Sequence, residues 1–130
     1  MSIVDNLGDL VTAVKRPKLK KLSLPYNGIE HEFCLYFQHM LNFDTLQHLD
    51  LSCNWFGMNG LSRFKDHFKQ FKQLEVLNLS NNKLCAEEQY DIRQFRDVLH
   101  AVKTNLQELY IAENQIKDAD MVDFLAEPIS

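Results

Sequence analysis

The sequence predicts an α/β solenoid, with short parallel strands stacked on a concave face, helices on the convex face, and the whole wound as a short right-handed superhelix. Three observations predict it. One apolar template recurs four times, an asparagine sits at the same point of each recurrence, and the apolar period changes between recurrences from two to about 3.6.

The recurring segments begin at Leu19, Leu46, Leu74 and Leu106. In the first, Leu19, Leu22 and Leu24 precede Asn27 and Ile29; in the second, Leu46, Leu49 and Leu51 precede Asn54 and Phe56. The third runs Leu74, Leu77, Leu79, Asn82, Leu84, and the fourth Leu106, Leu109, Ile111, Asn114, Ile116. Successive asparagines are 27, 28 and 32 residues apart. Leucines two apart face one side of a strand, so Leu22 and Leu24 and their equivalents point inward and the residues between them outward. An asparagine amide at the following bend can satisfy backbone groups of the adjoining coil, which predicts a structural ladder of Asn27, Asn54, Asn82 and Asn114.

Between the strands, Leu61, Phe64, Phe68 and Phe71 recur at helical spacing, as do Ile92, Phe95, Leu99 and Val102. Phe33, Phe37, Met40 and Phe43 fill the same place in the first repeat. The stretched third interval predicts the longest helix, over 86–102. Leu7, Leu10 and Val14 predict a capping helix that ends before Pro17. Met121, Phe124 and Leu125 start a last helix that stops at Pro128, which makes the C-terminal cap minimal. The expected organisation is one domain over 1–130: a capping helix in 1–18, then repeats over 19–45, 46–73, 74–105 and 106–127.

Composition narrows the function classes. Hydrophobic residues make up 45% and charged residues 25%, ordinary for a folded chain. The net charge of −4 is unevenly spread, with nine basic and seven acidic residues in 1–72 against five and eleven in 73–130. That gradient can orient a charged partner, but it lacks the clustered basic face of a nucleic-acid binder. Residues 1–10 have no basic start and contain Asp5 and Asp9, unlike a cleavable secretory signal, and no apolar run approaches the ~20 residues of a membrane span. Cys34, Cys53 and Cys85 are odd in number and without CxxC spacing, as expected of free thiols in a cytoplasmic or nuclear protein.

Repeats of this length with a full helix on the convex side resemble the ribonuclease-inhibitor-like class of leucine-rich repeats, from about Leu7 to Leu125. The resemblance implies a curved α/β solenoid, intracellular residence and binding through the concave strand face. Members of that class include inhibitors of secreted nucleases, innate immune sensors, GTPase-activating proteins, actin-filament cappers and bacterial effectors, so the class fixes the fold and leaves the role open. The chain departs from it in having only four repeats, an irregular third interval, and no match to the assisting arginine of the GTPase-activating branch.

The template lets the concave face be read as columns. Lys21, His48, Val76 and Glu108 form one; Ser23, Asp50, Asn78 and Tyr110 a second; Pro25, Ser52, Ser80 and Ala112 a third; Tyr26, Cys53, Asn81 and Glu113 border the ascending edge. Such a surface suits polar recognition of a protein, and the candidate contact residues are Tyr26, His48, Asp50, Trp55, Asn78, Glu108, Tyr110 and Glu113. Trp55 stands out, because Phe56 takes the buried template position beside it and an exposed tryptophan is a natural anchor. A solvated sheet face, and a tryptophan folded over Met58, are the ordinary alternatives. The run Lys15 to Lys21 has five cations and reads as a solvated edge in preference to a localisation signal or an anion-binding patch. His48, Asp50 and Cys53 lack the third group and enclosed pocket that catalysis needs, and His31 between Glu30 and Glu32 lacks a second ligand pair at metal spacing. The expectation is therefore a non-enzyme without cofactor or metal. The alternative role is a regulatory or targeting subunit, GTPase-regulator-like or bacterial-effector-like, joined to an assembly or to its own copies through the thinly capped C-terminal edge.

Overall fold

The computed structural model describes residues 19–26, 28, 43–86, 92–101, 106–117 and 119. In chain order the elements are β1 (Lys21–Ser23), β2 (His48–Asp50), α1 (Gly57–Arg63), α2 (Lys65–Phe68), β3 (Val76–Asn78), α3 (Ile92–Ala101) and β4 (Glu108–Tyr110). The strands form one parallel sheet in the order β1-β2-β3-β4, with α1 and α2 in the connection from β2 to β3 and α3 in that from β3 to β4.

Register follows the leucines. Leu22, Leu49, Leu77 and Leu109 are Cα partners across the four strands, as are Ser23, Asp50, Asn78 and Tyr110. A parallel sheet with this period puts every leucine of the row on the covered face. Leu22, Leu49 and Leu77 are buried, each burial stabilising the fold by roughly 1.5–3 kcal/mol, and Leu109 is half-buried at the end of the row. The sheet is knitted by the same bond in every interval. The amides of Gln47 and His48 both donate to the Lys20 carbonyl (2.8 and 3.0 Å), those of Glu75 and Val76 to Gln47 (2.8 and 3.0 Å), and those of Gln107 and Glu108 to Glu75 (2.8 and 3.0 Å).

The core joins this row to the helical layer. Phe56, Met58, Leu61, Phe64, Phe68, Phe71, Phe95 and Val98 are buried against the strand leucines, while Leu19, Phe43, Leu106, Leu109, Ile111 and Ile116 pack partly buried around them. The rings meet mostly by edges or tilted, with Phe56 and Phe64 T-shaped at 4.8 Å and Phe43 and Phe71 likewise at 4.9 Å, a geometry favoured by the ring quadrupole.

Two helices depart from the sequence expectation. The apolar run from Leu61 to Phe71 is not one helix. It breaks at Phe64, whose amide donates to both the Leu61 and Ser62 carbonyls, and Phe71 is buried beyond the end of α2. Phe64, at the break, and Phe68, in α2, are both fully buried. In the third repeat Ala86 lies outside any helix and the described helix starts at Ile92, so its ten residues are the longest helix among the described residues but begin later than 86. Its Phe95 is buried as the spacing predicts, and Val98 is buried too. The capping helix of 1–18, the first convex stretch with Phe33, Phe37 and Met40, Asn27, the His31 triplet, Cys34 and the last helix at 121–125 lie outside the described residues.

Candidate functional site: the strand face and its ascending edge

Because the leucines occupy the covered side of each strand, the residues between them line the open side, and register fixes their neighbours. Lys21, His48, Val76 and Glu108 stand in one row, and Ser23, Asp50, Asn78 and Tyr110 in the next. Six of these, together with the edges of Leu22 and Leu49, surround a hollow of about 150 Å³: Lys21, His48, Asp50, Val76, Asn78 and Tyr110. His48, Asp50, Asn78 and Tyr110 among the predicted contact residues are thus brought together. Glu108 lies beside Tyr110 on the same face, exposed and outside the hollow.

Two side chains of the second row are held by their own backbone. The Ser52 amide donates to Asp50 Oδ1 (2.9 Å) and the Ser80 amide to Asn78 Oδ1 (3.0 Å), the local turn that Asp and Asn readily make. Asp50 Oδ2 also accepts from Ser23 Oγ at 3.4 Å. The carboxylate is therefore oriented, and among the described residues no cation pairs with it. Tyr110 is 48% exposed at the other wall.

The ascending edge is built from left-handed residues. Tyr26, Cys53, Asn81 and Glu113, equivalent in the four repeats, have φ of 58°, 55°, 53° and 57°. Each bend delivers its side chain outward beside its neighbour. Asn81 Nδ2 donates to Cys53 Sγ at 3.7 Å. The Tyr26 phenol is raised above its ordinary pKa, first by a hydrogen bond with the Cys53 side chain, then by the charge of Cys53, slight desolvation and the charge of Glu113. Tyr26 is nonetheless 80% exposed. His48, Asp50 and Cys53 do not form one cluster facing a common point, because Cys53 sits on this edge, outside the residues that line the hollow. Cys53 is a free, partly exposed thiol, and Cys85 is buried.

Two positions further along, the repeats diverge. Gly28, Lys83 and Gln115 are left-handed (φ 62°, 56° and 57°), whereas Trp55, at the equivalent place, is not; Gly57 takes the left-handed turn instead, at 64°. A bulky residue is costly at positive φ and glycine is not. Moving the turn to Gly57 keeps Phe56 in the core and Trp55 59% exposed. The Gly57 amide then donates to the Asn82 carbonyl at 2.9 Å, tying the bend to the next repeat. Lys83 Nζ lies 5.8 Å from the Trp55 ring centroid, within cation–π range. Lys83 was not singled out in the sequence; the signal that could have found it is that it occupies the place of Trp55 in the next repeat, and equivalent residues of successive repeats are neighbours.

Beneath the edge, Asn54, Asn82 and Asn114 are buried. Each side-chain amide donates to two carbonyls of its own bend and one of the preceding repeat: Asn54 to Leu51, Ser52 and Leu24, Asn82 to Leu79, Ser80 and Leu51, Asn114 to Ile111, Ala112 and Leu79. They are scaffold. Among the described residues no group of three or more His, Cys, Asp or Glu is placed to hold a metal ion, and no helix is long and apolar enough to cross a membrane.

Comparison with known proteins agrees with this geometry. One leucine-rich-repeat family model matches residues 45–64 and 102–125, and a second matches 73–95. The matched segments include three of the four strands and together span about half of the chain. No curated protein sequence matches. Among solved structures, one titled leiomodin-1 actin-binding site 2 superposes with a TM-score of 0.67 over 94% of this chain and 71% of that one, at 17% identity, a likeness of fold. With four registered strands, the buried asparagines and the matched repeats in place, the chain belongs to the leucine-rich-repeat proteins and is an α/β solenoid of that family.

Proposed function

We propose that the chain is a protein-binding module of the ribonuclease-inhibitor-like kind, acting in the cytoplasm or nucleus without catalysis or cofactor, and that it grips a partner through the strand face and its ascending edge. The contact residues are Tyr26, His48, Asp50, Trp55, Asn78, Glu108, Tyr110 and Glu113. The observation that carries this reading is the exposure of three large aromatic side chains, Tyr26, Trp55 and Tyr110, around a face whose other groups are polar. Aromatic anchors among polar neighbours are the composition of binding hot spots. A domain titled as actin-binding on the same fold supports a protein as the class of partner. Affinity capture from cells with the wild-type chain and with a triple alanine variant at Asp50, Trp55 and Tyr110 tests it. Capture of the same proteins by both would overturn the reading.

A second reading places the contact at the terminal edge, for a regulatory or targeting subunit or for association of copies. It is favoured by Leu106, Leu109, Ile111 and Ile116, which are half-buried where their equivalents Leu46, Leu49, Leu51 and Phe56 are buried. Light scattering after size exclusion, with and without charged substitutions at Phe124 and Leu125, separates the two; a monomer indifferent to those changes excludes self-association through that edge.

A further inference from the structure

We propose that the hollow on the strand face seats one cationic side chain of the protein partner, arginine in preference to lysine. This rests on the strand face being the binding surface and gives that surface a chemistry. A space of about 150 Å³ is on the scale of one side chain. Its central feature is the Asp50 carboxylate, oriented by the Ser52 amide and Ser23 Oγ yet without a cation among the described residues. A carboxylate has about four acceptor positions, so two bonds leave room for a guanidinium fork, which binds carboxylates through paired, charge-assisted hydrogen bonds.

The other walls suit the same occupant. Val76 offers an apolar surface for the methylene stem. Tyr110, 48% exposed, offers a ring face on which a planar guanidinium can stack. Lys21, in the first strand, stands at the end of the hollow away from Tyr110 in the fourth, and repels a cation toward the Tyr110 side of the Asp50 carboxylate. Outside the rim, exposed Glu108 and Glu113 add negative charge on the β4 side of the face, which favours approach of a positive group.

The test is an amide-correlation NMR titration of the full chain with short blocked Gly/Ser peptides carrying one arginine, lysine, citrulline or glutamate. The arginine peptide is expected to shift amides at 48–50, 76–78 and 108–110, with lysine weaker and citrulline and glutamate at least about tenfold weaker, the loss expected for a charge-assisted pair. Asp50→Asn should weaken the arginine peptide by about tenfold or more, and Lys21→Met should tighten it; the same spectra report that each variant is folded. Equal binding of citrulline, preference for glutamate, indifference to Asp50→Asn, or no binding by the arginine peptide overturns the proposal. If partner capture is lost in the triple variant while the arginine peptide fails to bind, the strand face remains the binding surface and only its cation seat is wrong; if capture is unchanged, the strand-face reading itself fails.

Discussion

Asn114 Oδ1 accepts the Asn82 amide at 2.7 Å and the Leu84 amide at 3.4 Å, whereas Asn82 Oδ1, one repeat earlier and fully buried, has no hydrogen-bond partner among the described residues. The asparagine ladder is thus interrupted beside the one bend whose left-handed residue has moved from position 55 to Gly57. The equivalent donors of the second repeat would be the amides of Asn54 and Phe56, which flank Trp55. The displaced turn and the idle acceptor are one local distortion, and it presents Trp55.

This asymmetry predicts unequal losses. Asn82→Ala strips three carbonyls of their donor, while Asn114→Ala strips three carbonyls and two amides. Both are expected to destabilise the fold by at least about 2 kcal/mol, with Asn114→Ala the larger by about 1 kcal/mol. Urea unfolding monitored by circular dichroism measures both. Equal losses would mean that the idle acceptor is bonded in solution.

Phe64 joins the broken helices to the core, packed against Phe56 at 4.8 Å and Phe68 at 5.9 Å. Phe64→Ala leaves a cavity at a fully buried site and is expected to cost about 3–5 kcal/mol. That is a large share of the stability of a small domain. Phe64→Leu should recover more than half of the loss in the same unfolding measurement.

Gly57→Ala separates space from backbone. An added Cβ would meet nothing within 4 Å, so only the positive φ of 64° resists it. The expected cost is about 1–2 kcal/mol. Asn, which tolerates this conformation better, should cost less than Ala, an order opposite to their helix propensities.

Trp55 is the single tryptophan and reports its own surroundings. Trp55→Ala is expected to change stability by less than about 1 kcal/mol, since the ring is mostly exposed. Iodide should quench its fluorescence more strongly than caesium does, because Lys83 attracts the anion and repels the cation; Lys83→Met should narrow that difference.

The Tyr26 phenol should titrate above the ordinary tyrosine value, and Cys53→Ala should move it back, because the Cys53 hydrogen bond is the largest cause of the shift. A group with a raised folded value stabilises the fold below its unfolded value and loses that contribution as pH rises through the folded one. At 80% exposure the energy involved is screened and the accompanying change in stability small, so ultraviolet difference absorbance against pH is the measurement.

Strand register was legible because leucine spacing permits only one alignment: shifting β2 by one residue would expose Leu49 and bury His48. The rows containing Lys21 and Asp50 followed at once. The hollow was not legible, because it depends on which neighbours in those rows stand apart, and side-chain direction is not a property of spacing. Nor was the break at Phe64, since Leu61, Phe64 and Phe68 have the same spacing in one helix as in two short ones. Trp55 could be singled out from Phe56 alone; the left-handed turn at Gly57 required a backbone, although a glycine just beyond an oversized residue was the available hint.

The displaced turn also bears on what this scaffold can become. In the other three repeats the position equivalent to 55 is left-handed, where the backbone itself disfavours large or β-branched side chains. Relieved of that requirement, position 55 accepts a wide range of residues with the core leucines and the Phe56 contact intact. A lineage could vary its side chain, and with it the choice of partner, at little risk to folding. Introducing the same spacing of a glycine two residues onward at Lys83 or Gln115 would open a second such point, which gives engineers of this fold a rule for where to place new contacts.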